Sequence, residues 1–300
     1  MANQLRKLMN RVQIVGTVKD VNLEVKQSKK GNDYIKGYVE VTVKDGNKVN
    51  SIKVNVMCME SWKQYAGLQK VKAEYNTGDR VRINASIDAQ EYCGRNGYMY
   101  YNTINSNSFT RDFEDNGKDM AIANVEMIIT GLEQELKDNV CTGNIKVSAF
   151  TVDWSGKVIE LNKLIVGEKL AEPFSNIYYE GVTAKMTIKI NNYVEVKETE
   201  QEQETYGFGT VVNVGGSGNT YVNNLELIGG DMPKGVDVAY TQEEIAQAKR
   251  DRELAKATLM NEEPSNDFNT NTGFGNTSSN NNNNGGYNPF DEIDEADMPF

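Results

Sequence analysis

Hydrophobic and polar residues alternate through most of the chain between about residues 11 and 109. An alternation of period two places every second side chain on one face, as in a half-buried β-strand. The apolar residues that share a face in successive predicted strands are Ile35, Val39, Val41 and Val43, then Ile52, Val54, Val56 and Cys58, then Val81, Ile83, Ala85 and Ile87. This part of the chain is therefore predicted to be mainly β-sheet.

One segment interrupts the alternation. In residues 61–74, Trp62, Tyr65 and Leu68 recur at three-residue steps, which predicts a helix with these side chains in the core. Glycine-containing turns at 45–47, 77–79 and 94–97 separate the flanking strands. The predicted order is three strands, a helix and two strands.

The following residues, 121–230, repeat this order more loosely. The predicted elements are strands at 125–132, 144–154 and 157–166, a short helix at 168–179, a strand at 182–195 and a closing strand at 221–228. Pro173 limits the predicted helix, because proline is tolerated only in the first turn. The glycines at 215–218 lack the Gly-Lys-Ser/Thr end of a phosphate loop and indicate a hairpin turn. A different β-rich domain is the alternative for this region.

The last sixty residues change character twice. Thr241 and Glu244 have the spacing of a capping box, which predicts a helix over 241–260. Its apolar face is thin, and the sequence leaves open whether it packs on a domain or is a spacer. Residues 261–300 are rich in Asn and Gly and predict a disordered tether. The predicted boundaries are 1–118, 119–240, 241–260 and 261–300.

Composition argues against catalysis. The chain has no histidine, which removes the commonest general base and histidine-containing zinc sites. Cys58, Cys93 and Cys141 fit neither a disulfide framework nor a paired metal-ligand spacing. We therefore predict no enzyme activity, no metal and no cofactor. With no signal-peptide core and no apolar run of membrane-spanning length, the expected location is the cytoplasm of a bacterial cell, without membrane contact.

The net charge of −11 is distributed unevenly. Residues 1–119 have a net charge of +5, whereas residues 120–240 and 261–300 each have −8. Because polyanions bind basic surfaces, a surface that binds nucleic acid is expected mainly in the first third.

The final ten residues contain five carboxylates and end in proline and phenylalanine. An exposed ring, a fixed proline and a terminal carboxylate suit a partner with an apolar pocket ringed by basic residues. The candidate partner-binding residues are Asp294, Glu295, Asp297, Met298, Pro299 and Phe300. The alternative is that the acidic end serves only solubility.

This ending is similar to the Asp-Asp-Asp-Ile-Pro-Phe end of bacterial and phage single-stranded DNA-binding proteins. The motifs RVQIVG at 11–16, GNDY at 31–34 and TGDRVRI at 77–83 also resemble that family in their order. The resemblance implies the OB-fold, a five-stranded barrel. The predicted architecture is thus mainly β, with two OB-fold-like five-stranded barrels, a C-terminal helix and a disordered acidic tail.

The same resemblance implies a function. A member of this family coats single-stranded DNA and recruits replication, recombination and repair proteins through its tail. The expected setting is a phage or bacterial replisome, and the sequence leaves open whether the protein is a homo-oligomer. The rival interpretation is a replisome or recombination adaptor whose OB-like domains mainly bind proteins, as the acidic second half suggests.

Single-strand binding requires cations for phosphates and exposed rings for bases. Tyr34, Lys36 and Tyr38 interleave on one predicted strand, and lysines precede them in the loop between strands one and two. The full candidate set is Lys29, Lys30, Tyr34, Lys36, Tyr38, Lys53, Arg80, Arg82, Tyr92, Arg95, Tyr98 and Tyr100. Tyrosine is also common in half-buried strands, so each ring has packing as its alternative.

The second domain is expected to bind more weakly. Its last hairpin contains a run of glutamates at 198–204, which repels phosphate. The side chains that leave room for a weaker stretch of the path are Lys185, Lys189, Tyr193, Tyr206 and Phe208. Our hypothesis is that the first domain dominates affinity.

Overall fold

The structure is a computed structural model that describes residues 5–94, 97–111, 113–137, 139–196 and 219–261. Its elements, in chain order, are β1 (Asn10–Gln27), β2 (Asp33–Asp45), β3 (Lys48–Met59), α1 (Tyr65–Glu74), β4 (Arg80–Gly94), β5 (Gly97–Thr110), β6 (Met120–Lys137), β7 (Val140–Val152), β8 (Val158–Val166), α2 (Glu168–Ile177), β9 (Thr183–Val196), β10 (Asn219–Gly230) and α3 (Gln242–Asn261).

The first five strands close into a barrel. β1 pairs with β4 along its first half and with β2 along its second half, and both pairings are antiparallel. A short parallel pairing of β3 with β5, at Val54 and Ile104, closes the barrel. The alternating residues predicted to share the inner face are buried, with Ala85 only partly so. This is the predicted OB-fold arrangement.

Helix α1 lies between the third and fourth strands, as predicted. It begins at Tyr65 rather than at 61, because residues 61–64 form turns. Tyr65 and Leu68 are buried in the core, and Trp62 packs against them. The interpretation of these side chains as core residues is confirmed.

The second half builds the same barrel again. β6 pairs with β7 and β9, and a parallel pairing of β8 with β10 closes it. Helix α2 continues past Pro173 to Ile177, since the buried ring of Phe174 packs against Tyr178 at 4.8 Å between centroids. The second region is thus an OB-like barrel and not another β-rich domain.

The two barrels share one sheet. Residues 10–15 of β1 pair antiparallel with residues 120–125 of β6, the corresponding first strand of the second barrel. One cluster of buried side chains runs through both barrels. Two hydrogen bonds hold Asn192 of β9 against the first barrel: its backbone amide donates to the Asn50 side-chain oxygen (2.8 Å), and its side-chain amide donates to the Ser51 carbonyl. A division at residues 118 and 119 remains a proposal.

Helix α3 begins with the predicted capping box: the Thr241 amide donates to the Glu244 carboxylate (2.8 Å), and the Glu244 amide donates to the Thr241 hydroxyl (3.2 Å). Ile245 and Ala248 are buried in a second apolar cluster with Phe150 of β7. The helix therefore packs on the body and is not a free spacer. Among the described residues, no helix is both long and apolar enough to cross a membrane.

Candidate nucleic-acid interface

One face of the first barrel crosses β2, β3 and β5. Tyr38 pairs with Asn55, and Asn55 pairs in turn with Asn105. The residues next to them in sequence, Val39, Val54 and Ile104, are buried in the core. Because adjacent strand residues face opposite ways, the side chains of Tyr38, Asn55 and Asn105 point away from the core. We call this surface, which also includes Lys36 and Lys53, the β2–β3–β5 face.

Tyr38 and Lys53 form the centre of this face. The Lys53 ammonium lies 4.8 Å from the centre of the Tyr38 ring. The Tyr38 hydroxyl donates to Asp20 at 3.0 Å. Burial raises the pKa of Tyr38, and its bond to Asp20 adds to this, so the ring stays neutral. A partly exposed neutral ring beside a cation can stack on a base while the cation meets a phosphate.

A buried carboxylate, that of Glu40, lies next to Lys53 on the same face of the sheet. Glu40 pairs with Lys53 in the strand register and accepts a hydrogen bond from Lys19 at 2.8 Å. Burial opposes the charged form of Glu40, but the hydrogen bonds from Lys19 and Ser51 outweigh it and lower the pKa. Glu40 is therefore ionised at neutral pH, with Lys19 as its direct partner.

Glu40→Gln is expected to lower the free energy of unfolding at pH 7 by about 1 kcal/mol, because the ammonium of Lys19, whose side chain is 51% exposed, and the hydroxyl of Ser51 lose their charged acceptor. The folded-state pKa lies below the ordinary value of 4.5, so this stabilisation is present above that value and is lost as pH falls through the folded-state pKa. Urea denaturation of both proteins from pH 7 to pH 3 measures the difference. Glu24→Gln, at an exposed side chain, is the control with little expected effect.

The loop between β1 and β2 presents the two predicted lysines. Its turn is held by the Ser28 amide, which donates to the Asn32 carbonyl at 2.8 Å, and by the Gly31 amide, which donates to the Ser28 carbonyl at 2.9 Å. Lys29 and Lys30 are both exposed on this turn. The loop leads directly into β2 and so places two cations at one end of the β2–β3–β5 face.

Sequence reasoning missed the amides of this face. The Oδ1 atoms of Asn55, Asn105 and Asn107 are shielded from solvent and have no hydrogen-bond partner among the described residues. An unpartnered buried acceptor costs free energy, and a donor on a bound ligand, such as a base amino group, would remove that cost. The amides were missed because the search was for rings and cations. Asn55 and Asn105 directly follow the buried Val54 and Ile104, and this alternation was the signal that their side chains face outward.

Arg80 and Arg82 lie elsewhere. Arg80 forms ion pairs with Asp115 (2.6 Å) and Asp119. Arg82 donates to the Glu114 carbonyl at 3.0 Å and stacks on the Phe113 ring at 4.3 Å. Both arginines thus hold the segment between the barrels, and the structure does not bring them to the β2–β3–β5 face.

Several predicted rings are engaged in packing. Tyr34 is 4% exposed and Tyr92 is 9% exposed, and Tyr92 meets Tyr101 edge to face at 6.2 Å. Tyr98 and Tyr100 alternate with Tyr101 along β5 and face α3 and β8 instead. A role of these four predicted rings in binding stays a prediction.

Some predicted residues lie outside the described part of the chain. They are Arg95 in the β4–β5 hairpin, Tyr206 and Phe208 near the end of the second domain, and the tail residues Asp294, Glu295, Asp297, Met298, Pro299 and Phe300. Among the described residues, no group of three or more Cys, Asp or Glu side chains is placed to hold a metal ion.

The two barrels correspond strand by strand. In the first barrel, Val54 of β3 is the cross-strand partner of Val39 and of Ile104. In the second barrel, Leu164 of β8 is likewise the cross-strand partner of Val147 and of Leu225. This register gives the second barrel an equivalent face across β7, β8 and β10.

On that equivalent face, Lys146 stands where the first barrel has Tyr38, and Lys163 stands where it has Lys53. The face contains a groove of about 560 Å³, with Tyr221 on one wall and Glu133 and Glu135 also lining it. Lys163 thus retains the cation of Lys53, whereas Lys146 replaces the Tyr38 ring with a second positive charge. The negative charges of Glu133 and Glu135 offset these two positive charges. The surface is a mixed-charge counterpart of the β2–β3–β5 face.

The lysines predicted to serve the second domain have structural partners. Lys185 pairs with Asp231 at 3.0 Å, and Lys189 pairs with Asp45 of the first barrel. Tyr193 is buried beneath Lys48, whose ammonium lies 4.6 Å from the ring centre. These three side chains therefore make contacts within the folded protein, and none of them lines the groove on β7, β8 and β10.

Solved structures with a similar fold include the wild-type single-stranded DNA binding protein from Thermus aquaticus, with a TM-score of 0.50 and 8% identity over 79% of this chain and 99% of that chain. A deletion mutant of the same protein gives 0.49 and 9% over 79% and 98%. The mitochondrial single-stranded DNA binding protein Rim1 from S. cerevisiae gives 0.26 and 12% over 35% and 96%. At 8% identity the likeness to the wild-type Thermus aquaticus protein concerns the fold alone.

No curated protein matches the chain in sequence. Residues 8–264, which include both barrels and α3, match the YorF family. Since this match spans well over half of the sequence, the chain belongs to the YorF family.

Proposed function

We propose that the protein binds single-stranded DNA across the β2–β3–β5 face of its first barrel. The observation that carries the proposal is the partly exposed Tyr38 ring with the Lys53 ammonium 4.8 Å from its centre, on the sheet face of an OB-fold barrel. This combination supplies a stacking surface for a base and a cation for the adjoining phosphate.

Further side chains extend this site along the strand path. Lys29 and Lys30 meet phosphates at the loop end of the face, and the amides of Asn55 and Asn105 meet base edges. Phosphate contacts and ring stacking tolerate every base, and an amide oxygen can accept from an N–H group of any of the four bases. The expected result is binding with little sequence preference.

The second barrel contributes a weaker stretch of the same path. Lys146 and Lys163 offer cations at equivalent positions, but Glu133 and Glu135 in the groove oppose a polyanion. This charge balance supports the hypothesis that the first barrel dominates affinity.

In this proposal the protein coats exposed strands during replication, recombination or repair in a phage-infected or uninfected bacterial cell. Partner proteins are recruited through residues 294–300, where the terminal phenylalanine and carboxylate suit an apolar pocket with a basic rim. The upstream carboxylates steer the encounter with that basic surface.

Titration of the full-length protein with oligo-dT, followed by Trp and Tyr fluorescence at several salt concentrations, tests the proposal. The logarithm of the association constant is expected to fall linearly with the logarithm of salt, by about 0.7 for each phosphate neutralised. A double-stranded oligonucleotide of equal length is the control and should bind more weakly. A response that is undetectable or insensitive to salt would refute DNA binding and favour the protein adaptor.

A further inference from the structure

Helix α3 has an unusual buried face. Its buried residues, Ile245, Ala248 and Arg252, follow one another at helical spacing. The first two pack in the apolar cluster of the second barrel. The third is a charged residue, yet it is only 6% exposed. Since burial of an unpaired charge is strongly unfavourable, the contacts of Arg252 must account for its position.

Those contacts come from both barrels. The Arg252 guanidinium pairs with Glu91 of β4 at 2.7 Å and with Glu160 of β8 at 3.1 Å. It also donates to the Tyr98 hydroxyl of β5, and its central carbon lies 4.6 Å from the centre of the Tyr100 ring. Three elements from distant parts of the chain therefore converge on one side chain.

The tyrosines complete the connection. The Tyr98 hydroxyl donates to Glu91 at 2.7 Å. The Tyr100 hydroxyl donates to the Glu160 carbonyl at 3.0 Å and accepts from the Glu160 amide at 2.8 Å. These contacts join the β4–β5 hairpin to the second barrel and to α3, and we call them the Arg252 junction. Asn102 of β5 adds a hydrogen bond to the Glu160 carbonyl (2.7 Å) and one from the Asn162 amide (2.7 Å).

The other face of the same hairpin adjoins the proposed DNA site. Tyr101 lies on the opposite side of β5 from Tyr98 and Tyr100, and it shares its side with the buried Thr103 and with Asn105 of the β2–β3–β5 face. The position of the hairpin therefore fixes where Tyr101 stands relative to Asn105 and Tyr38.

We propose that Arg252 is a positioning residue for the binding of single-stranded DNA: it holds the β4–β5 hairpin as one wall of the site without touching the nucleic acid. Its guanidinium is enclosed by two carboxylates and two rings, which leaves it turned away from the β2–β3–β5 face. This inference rests on the proposed function and extends the binding unit beyond the first barrel to α3.

Arg252→Ala in the full-length protein tests it, with Arg250→Ala as the matched control. Arg250 is exposed on the same helix, and its substitution removes the same charge. Oligo-dT affinity is expected to fall by about 3- to 30-fold in Arg252→Ala, the range of mutations that act through coupled contacts. Arg250→Ala should stay within about twofold, and the salt dependence should be unchanged in both, because no phosphate contact is lost.

Glu160→Gln tests the positioning role while keeping the arginine, because the two explanations predict opposite changes in DNA affinity. A purely electrostatic effect predicts tighter DNA binding, because a negative charge is removed. The positioning role predicts weaker binding, because one tie of the junction is weakened. Glu172→Gln, on the exposed side of α2, removes the same charge and is the control. Glu160→Gln also keeps the test decisive where Arg252→Ala does not fold.

Hydrogen exchange of the DNA-free protein gives a readout independent of binding. Exchange is expected to rise in the β4–β5 hairpin of Arg252→Ala while the remaining strands keep their protection. Wild-type affinity in Arg252→Ala, tighter binding in Glu160→Gln, or a salt slope reduced by about 0.7 in Arg252→Ala would each overturn the inference. Absence of oligo-dT binding by the wild-type protein would instead refute the proposed function.

Discussion

Gly37→Ala is expected to destabilise the protein by about 3 kcal/mol, the upper range for forcing atoms into a packed region. Gly37 lies in β2 with φ of 148°, and a β-carbon there would stand 1.9 Å from the Asn22 carbonyl oxygen of β1. The obstacle is backbone, so no side-chain rotation relieves it. The strands would have to separate where β1 curves around β2.

Gly67→Ala is the matched control for Gly37→Ala. Gly67 lies in α1, and a β-carbon there would meet no atom within 4 Å. Because glycine loses more backbone entropy than alanine in a helix, this change should stabilise the protein by about 0.5–1 kcal/mol. Urea denaturation followed by Trp fluorescence measures both variants. Equal midpoints for the two variants would contradict the close approach of β1 and β2.

The position of Gly37 also links stability to the candidate site. It separates Lys36 from Tyr38, and it pairs with Leu23 of β1. The close contact of the two strands brings Tyr38 opposite Asn22 and within reach of Asp20. Strand separation in Gly37→Ala is therefore expected to move the ring that we assign to base stacking.

Tyr38→Ala is expected to weaken oligo-dT binding by about 1–3 kcal/mol, the usual contribution of one stacked base. The slope against salt should change little, because the substitution removes a ring and no cation. Fluorescence titration at two or more salt concentrations measures both quantities. Lys53→Ala in the same assay should instead reduce the slope by about 0.7.

Two controls separate stacking from other roles of Tyr38. Tyr38→Phe keeps the ring and removes only the hydroxyl with its bonds to Asp20 and Asn22, so its affinity should remain close to that of the wild type. Tyr179→Ala removes a ring that is 67% exposed just after α2, and its affinity should not change. If Tyr38→Ala binds as the wild type does, while the wild type binds oligo-dT, the strand follows another surface.

The alternation of apolar residues predicted the strands of both barrels, and the order of the elements together with the family resemblance implied the barrel fold. A different β-rich domain stayed open for the second region. Burial of every second residue is a local consequence of strand geometry, so Val39 or Val54 indicates its own face without knowledge of its neighbours. The capping box at Thr241 is equally local, since both of its partners lie within one helical turn. The same reasoning placed Lys36 and Tyr38 on one outward surface, together with Tyr34, which is buried in the structure.

What covers an outward surface was decided only by the tertiary structure. Arg80 and Arg82 alternate outward as predicted, yet the segment at 113–119 pairs with them. Tyr98 and Tyr100 face a helix whose Arg252 is separated from Tyr98 by 154 positions. No local pattern records such a contact, because the periodicity of a strand reports its two faces and not the element that packs on either.

The sequence by itself thus determined the repeated order of strands and helices, the inner face of the first barrel and the outward side of Lys36 and Tyr38. The tertiary structure decided that the barrels share one sheet through β1 and β6, and that Arg252 of α3 pairs with Glu91 of the β4–β5 hairpin. The physical reason is range: backbone geometry and caps act over a few residues, whereas strand pairing and buried ion pairs join residues that only folding brings together.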